Sequence, residues 1–143
     1  MDNEFRVEKD SLGELKVPNS AYYGAQTQRA VENWKISGFR EPEVFIRAYV
    51  MIKRSAAVVN EALGTLDSEK AKAIQKAADE ILNEGKHHDQ FVVDVYQAGA
   101  GTSFNMNVNE VLANRAAEIA GRAKGDYEFI HPNDHVNMAQ STN

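Results

Sequence analysis

Three segments of this chain carry apolar residues at spacings of three and four, the repeat that places side chains on one face of an α-helix. Proline and glycine residues and capping side chains mark where these segments begin and end. The predicted helices run from Pro42 to Gly64, from Asp67 or Ser68 to Gly85, and from Ser103 to Gly121. The predicted buried faces are Phe45, Tyr49, Ile52, Ala56, Val59 and Leu63; Ile74, Ala77, Ala78 and Ile81; and Phe104, Val108, Val111, Leu112, Ala116 and Ile119.

A small hairpin is predicted before these helices. Two short segments, Phe5–Asp10 and Leu15–Pro18, alternate apolar and polar residues, with Gly13 in the turn between them. Asn19 and Ser20 suit the cap of a short helix through Gln26. Further expectations are a packed loop around Trp34, Ile36 and Phe39, a strand-like piece at Tyr127–Phe129, and another helix beginning in Val136–Asn143. The fold class is therefore mainly α with a small β-hairpin.

Composition narrows the classes of function. A chain of 143 residues with net charge −5 and no long run of Lys or Arg is a poor nucleic-acid binder. It has no cysteine, and no stretch approaches the roughly 20 apolar residues of a membrane span. We therefore expect a cytoplasmic protein that binds neither nucleic acid nor membrane. The mean hydropathy of −0.51 is polar for a domain with its own core, which favours a missing partner domain.

Small residues from Ala98 to Ser103 lead into the third predicted helix. Such residues let a ligand approach the backbone closely, and the first amides of a helix lack partners within the helix. A carboxylate there would gain roughly 0.3–1 kcal/mol from the helix dipole, and up to about 2 kcal/mol when partly buried. The alternative is a glycine-rich turn in which Ser103 merely caps the helix.

Other polar clusters are open to a structural or a functional interpretation. Asn105, Asn107, Asn109 and Asn114 lie on one helix and either cap and tie loops or line a site; the structural role is favoured for Asn114. His131 and His135 have the spacing of a helical metal pair, but Pro132 disfavours helix at His131 and no third ligand is evident, so no metal is expected. The run His87–Asp89 suits a solvated loop. No cofactor motif is found.

Several motifs together resemble the aspartase/fumarase family of lyases, and the resemblance covers the whole chain. They are Arg6–Asp10, Tyr22–Thr27, Gly99–Ser103 with Asn105–Asn107, Asn109–Arg115, and His131–Asn137. The resemblance implies an N-terminal domain over residues 1–138, with residues 139–143 beginning a long central helical bundle. It also implies a homotetramer whose active sites combine several subunits, and that the chain, which stops at Asn143, is a fragment of a longer enzyme.

The resemblance further implies anti-elimination from a succinyl-type dicarboxylate substrate to give fumarate. Substrate carboxylate binding maps onto two segments, with Gly101, Thr102 and Ser103 in one and Ser141, Thr142 and Asn143 in the other. In the fumarase branch a second, non-catalytic anion site maps onto His131, Asn133 and Asp134. The catalytic serine and its partner histidine of the family lie further along the chain than residue 143, so these 143 residues alone are expected to be inactive.

Two branches of the family compete for this sequence. Asp94–Gln97, Ala100–Ser103 and Ser141–Asn143 resemble aspartate ammonia-lyases, whereas Tyr23–Gln28 and His131 resemble class II fumarate hydratases. We weight the substrate-contacting loops more, which favours L-aspartate. A third hypothesis is a helical interaction module without catalysis.

Overall fold

The fold is mainly helical with one small hairpin, as predicted, over residues 4–141, the part of the chain that this computed structural model describes. In chain order its elements are β1 (Phe5–Asp10), β2 (Gly13–Pro18), α1 (Ala25–Asn33), α2 (Glu43–Ala62), α3 (Ser68–Glu84), a 3-10 turn (His88–Gln90), α4 (Thr102–Ile119) and a π-helix (Pro132–Asn137). The strands pair antiparallel, with Phe5 opposite Pro18 and Asp10 opposite Gly13. Gly13, at φ 120°, takes the left-handed backbone of the turn.

Helix α4 lies at the centre of the described fold. It packs against α3 on one side and against α1, α2 and the π-helix on others, while α2 packs mainly on α3. Every residue from Phe104 to Asn114 is buried, although asparagines and Glu110 stand among them. Because buried polar groups need hydrogen-bond partners, α4 must be tied to its surroundings by its side chains.

The predicted limits of α3 and α4 are confirmed to within a residue or two. Asp67 caps α3 by accepting from the amides of Glu69 and Lys70, and Gly85 ends it in the left-handed conformation at φ 66°. The predicted buried face of α3 is also confirmed. Gly64, at φ 72°, follows the end of α2.

The predicted buried face of α2 is wrong. The residues that face the core are Ile46, Val50, Lys53 and Ala57, whereas Phe45, Ile52, Val59 and Leu63 are exposed. Both stripes repeat at spacings of three and four, and they lie about one residue apart around the helix, so spacing does not choose between them. The stripe that contains a lysine faces inward because that lysine has hydrogen-bond acceptors there.

The N-terminus of α1 is capped by carboxylates from distant elements, so the predicted cap by Asn19 or Ser20 is wrong. Glu110 of α4 accepts from the amides of Gly24, Gln26 and Thr27 at 2.8–3.0 Å. Glu8 of β1 accepts from the amide of Ala25 at 3.0 Å. Two buried carboxylates thus satisfy the free amides at the positive end of the helix.

The loop after α1 differs from its prediction. Ile36 and Phe39 are exposed, and only Trp34 is half-buried, because the loop is held by Asp94 and not by its apolar side chains. Asp94 accepts from the amides of Ser37 and Gly38 at 2.8 and 2.7 Å. Burial raises the pKa of this carboxyl, but its hydrogen bonds outweigh that effect and hold the pKa at about 2.

Two predictions near the C-terminal end are also wrong. Tyr127–Phe129 forms a turn and no strand. Val136 and Asn137 end the π-helix, and no new helix begins up to residue 141, because Met138 and Ala139 take positive φ values of 37° and 60°; Thr142 and Asn143 lie outside the described residues. The boundary between residues 138 and 139 stays a prediction.

Candidate functional site

The glycine-rich loop delivers free amides to the N-terminus of α4. Gly101, at φ 79°, occupies the cap position, and Ser103 lies within the helix, so a capping role for Ser103 is wrong. The side chain of Gln97 accepts from the amide of Phe104 at 2.7 Å. The amides of Thr102 and Ser103 have no partner within the helix and point out of its positive end.

A cavity of about 210 Å³ opens at this helix terminus. It brings Gly101 and Thr102 together with Ser141, as the resemblance implies, although the two segments lie far apart in the chain. The other lining residues are Tyr49, Ile52, Ala100, Asn105 and Gln140. None of these residues is acidic, so the cavity offers hydroxyl and amide groups to an anion without a repelling carboxylate.

Not every predicted binding residue joins this cavity. Ser103 lines a different one beside Asp10 and Arg29, which form an ion pair at 2.9 Å. Thr142 and Asn143 lie outside the described residues. The cavity therefore holds three of the six predicted substrate-binding residues, and the role of Ser103 in carboxylate binding stays a prediction.

Ser141 is held by Asn137 at the end of the π-helix. The Ser141 hydroxyl donates to Asn137 Oδ1, and Asn137 Nδ2 donates to the Ser141 carbonyl, both at 2.9 Å. Asn137 is buried. In this structure the hydroxyl proton is therefore already used in the bond to Asn137, while the hydroxyl oxygen can still accept. The bond to Asn137 must break before the hydroxyl can donate to a ligand.

Lys53 lies behind the cavity and was not predicted as a site residue from the sequence. Its side chain is fully buried, and Nζ donates to Asn105 Oδ1 at 2.7 Å, Asn137 Oδ1 at 2.9 Å and Gln140 Oε1. Burial lowers the pKa of this amine from 10.5 to about 8. The signal that could have found it is a lysine between Val50 and Ala57 on one apolar helical face.

The asparagines of α4 divide between loops and site. Asn107 accepts from the amide of Val92 and donates to the carbonyl of Gln90, both at 2.9 Å. Asn114 donates to the carbonyl of Tyr22 at 2.8 Å, which fits the structural role favoured for it. Asn105 lines the cavity, and Asn109 contacts Asn137 at 3.4 Å. The first two therefore hold loops, and the last two belong to the surroundings of the candidate site.

A second cavity, of about 240 Å³, contains part of the predicted second anion site. His131 and Asn133 line it together with Lys9, but so do Asp10 and Glu110. Asp134 is not among the lining residues, and its side chain is 76% exposed.

The histidines of this region serve the backbone. His131 Nδ1 accepts from the amides of Asn133 and Asp134 at 3.1 and 3.3 Å, and His135 Nδ1 accepts from the amide of His131 at 2.8 Å. Pro132 keeps His131 extended at ψ 135°, as expected. Across residues 4–141, no group of three or more His, Asp or Glu side chains is placed to hold a metal ion.

The predicted solvated loop at His87–Asp89 is wrong for its histidines. His87 is half-buried, bonds Glu80 at 2.9 Å and packs its ring edge-on against Tyr22. His88 is also half-buried.

None of the described helices is long and apolar enough to span a membrane.

The chain is similar to known proteins along nearly its whole length. A family model described as Lyase matches residues 13–143. The class II fumarate hydratase of Halobacterium salinarum is 56% identical over 143 residues, which cover 100% of this chain and 30% of that protein. The aspartate ammonia-lyases of a Bacillus species and of Escherichia coli K12 are 54% and 53% identical, each with 100% of this chain and 30% of the relative covered.

Solved structures match the fold as well. A fumarate lyase:delta crystallin from Brucella melitensis superposes with a TM-score of 0.92 at 53% identity, covering 96% of this chain and 31% of that one. A class II fumarase from Schistosoma mansoni gives 0.89 at 42% identity, covering 96% and 29%. The chain thus spans about 30% of the length of the curated relatives it matches. It belongs to the lyase family that includes the aspartate ammonia-lyases and the class II fumarate hydratases.

Proposed function

We propose that the whole protein converts L-aspartate into fumarate and ammonia, and that this chain supplies part of its carboxylate-binding site. The observation that carries the proposal is the cavity at the N-terminus of α4, which Thr102 and Ser141 both line and which no acidic side chain among residues 4–141 lines. Free helix amides, hydroxyls and the charge of Lys53 behind the wall all favour an anion there.

In the proposed reaction a base removes the proton from the carbon beside one carboxylate. The electron pair of that C–H bond forms the double bond, and the C–N bond breaks with its electrons leaving on the amine. Negative charge builds on the carboxylate in between, so hydrogen bonds aimed at that group lower the barrier. Thr102 and the first amides of α4 are our candidates for this role. We place the base in a part of the whole protein that follows residue 143.

The choice of aspartate rests on the loops that contact substrate. Ala100–Ser103 and Ser141–Asn143 resemble those of aspartate ammonia-lyases, and relatives of that name are 53–54% identical to this chain. A specific observation favours a second candidate, fumarate hydratase: a relative of that name is 56% identical, and Tyr23–Gln28 and His131 resemble that branch.

Two further expectations stay proposals. A second anion site at His131 and Asn133 is supported by the cavity they share with Lys9. Asp134 does not line that cavity and is included only because it follows Asn133 in the sequence. A homotetramer of the whole protein is supported by the exposed apolar stripe of α2, because a large apolar face of a helix is normally covered.

The test is the ultraviolet absorbance of fumarate, followed with the whole protein supplied with L-aspartate or L-malate in parallel. We expect fumarate from aspartate and none from malate. The reverse result would make the protein a hydratase, and fumarate from neither substrate would refute both candidates.

The same assay tests the site. Thr102→Val should lower kcat/KM by an amount equivalent to about 1.5–3 kcal/mol of transition-state stabilisation, the usual contribution of a hydrogen bond to a charged group. Thr102→Ser keeps the hydroxyl and should keep most of the activity. Equal kcat/KM for the valine variant and the wild type would remove Thr102 from the binding site.

A further inference from the structure

Lys53 is a fully buried ammonium group with no carboxylate partner among residues 4–141. All three of its hydrogen-bond acceptors are neutral amide oxygens. Lysine is almost never fully buried unless it is paired, because removing its charge from water is strongly unfavourable. A hydrophobic residue at this position would stabilise the core more than a lysine does. The lysine therefore indicates a role other than core packing.

Two of the three acceptors lie on either side of a strained turn. Asn137 precedes it and Gln140 follows it, while Met138 and Ala139 between them have φ values of 37° and 60°. Residues other than glycine are strained at such positive φ values and persist there only where their surroundings hold them. The ammonium group of Lys53 clamps both flanks of the turn.

The turn determines where Ser141 lies. Asn137 binds Ser141 through both its hydroxyl and its carbonyl, and Asn137 Oδ1 also accepts from Lys53. The third acceptor, Asn105, belongs to the first turns of α4, next to Thr102. One buried ammonium group thus connects the two segments that line the cavity.

We propose that Lys53 is a positioning residue, whose ammonium group holds residues 137–140 in the left-handed turn that keeps Ser141 in the same cavity as Thr102. It acts through Asn137 and Gln140 and does not touch the substrate. The inference rests on the proposed function only for the role of the cavity; the hold on the turn is independent of it.

The test compares Lys53→Met with Lys76→Met in the whole protein. Methionine matches the length of lysine but cannot donate, and Lys76 is exposed on α3, so it controls for the substitution itself. In Lys53→Met we expect KM to rise about tenfold or more with a smaller change in kcat. We also expect hydrogen exchange to speed up at the amides of Met138 and Gln140, which now donate to the carbonyls of Asn133 and Asn137. Lys76→Met should change neither.

A rescue variant separates positioning from a general loss of stability. Glycine adopts positive φ without strain. Adding Ala139→Gly to Lys53→Met should therefore lower KM part of the way back to the wild-type value and slow hydrogen exchange in the turn again. Ala139→Gly alone should keep KM near the wild-type value. A KM that rises in Lys53→Met but does not respond to the glycine would overturn the positioning role.

Unchanged KM and exchange in a folded Lys53→Met protein would also overturn it. If that variant does not fold, Gln140→Met removes one flank of the clamp from an exposed side chain and should show the same two effects, weaker but rescued by the same glycine. A wild-type protein that forms no fumarate would refute the proposed function alone, and the exchange of the turn would then decide the role of Lys53.

Discussion

At the scale of single residues, Gly24 marks a place where a side chain does not fit. Its backbone, at φ −118°, is open to any residue, so conformational freedom is not the reason for a glycine. A Cβ atom there would meet the Tyr127 hydroxyl and would lie 2.5 Å from Glu8 Oε2. The two carboxylates that cap α1 approach so closely that only a hydrogen atom fits between them.

We therefore expect Gly24→Ala to destabilise the protein by about 1–3 kcal/mol, the cost of overpacking a filled site. Gly99→Ala is the matched control, since nothing lies within 4 Å of a Cβ there. Urea unfolding of both variants measures the difference. If they prove equally stable, the cap has room that the structure does not show.

Glu8 shows why alternation along β1 predicts its pairing but not its buried face. Val7 is exposed and Glu8 is buried, the reverse of what hydropathy predicts for a hairpin. Glu8 turns inward because Arg6, Ala25 and Tyr127 all donate to its carboxylate. Arg6 lies on the same strand, but Ala25 and Tyr127 come from elsewhere in the chain and cannot be read from the strand itself.

At the scale of elements, α2 has two apolar faces that serve different purposes. Val50 is 0% exposed against the core, while Val59 is 53% exposed on the neighbouring stripe. The core face stabilises this fold, and the other face is exposed to solvent in it.

The same substitution at the two valines separates these roles. Val50→Ala should lower the free energy of unfolding by at least about 1.6 kcal/mol, from about 0.8 kcal/mol for each of two buried methyl groups plus the cavity left behind. Val59→Ala should cost this fold far less. Thermal or urea unfolding of this 143-residue chain measures both, and a larger loss at Val59 would restore the face predicted from spacing.

At the scale of the whole molecule, one ion-pair network joins segments far apart in sequence. Arg115 of α4 bonds both carboxylate oxygens of Glu80 on α3, at 2.6 and 2.8 Å, and it also pairs with Glu118. Glu118 accepts from the Tyr22 hydroxyl at 2.6 Å. The hydrogen bond from Arg115 lowers the pKa of Glu80 from 4.5 to about 2, with burial opposing it and His87 adding to it.

This network should make the free energy of unfolding depend on pH in the acidic range. Because the folded-state pKa of Glu80 is below its unfolded value, its contribution is present above pH 4.5 and is lost as the pH falls from 4.5 towards 2. Glu80→Gln should cost about 1.5–3 kcal/mol at pH 7, and the difference from wild type should shrink across that window. Exposed Glu84→Gln on the same helix is the control. A difference that is constant with pH would show that Glu80 acts by shape alone.

The sequence alone predicted the limits of the hairpin, α3 and α4, because apolar spacing, caps and left-handed glycines act within a few residues. It also carried the family resemblance and pointed to Gly101, Thr102 and Ser141. Tertiary structure decided which face of α2 is buried, which carboxylates cap α1, that Ser103 and Thr102 line different cavities, and that Lys53 reaches Asn137. Each of these depends on a hydrogen-bond partner or packing surface far along the chain, and local patterns carry no information about a partner that only folding brings near.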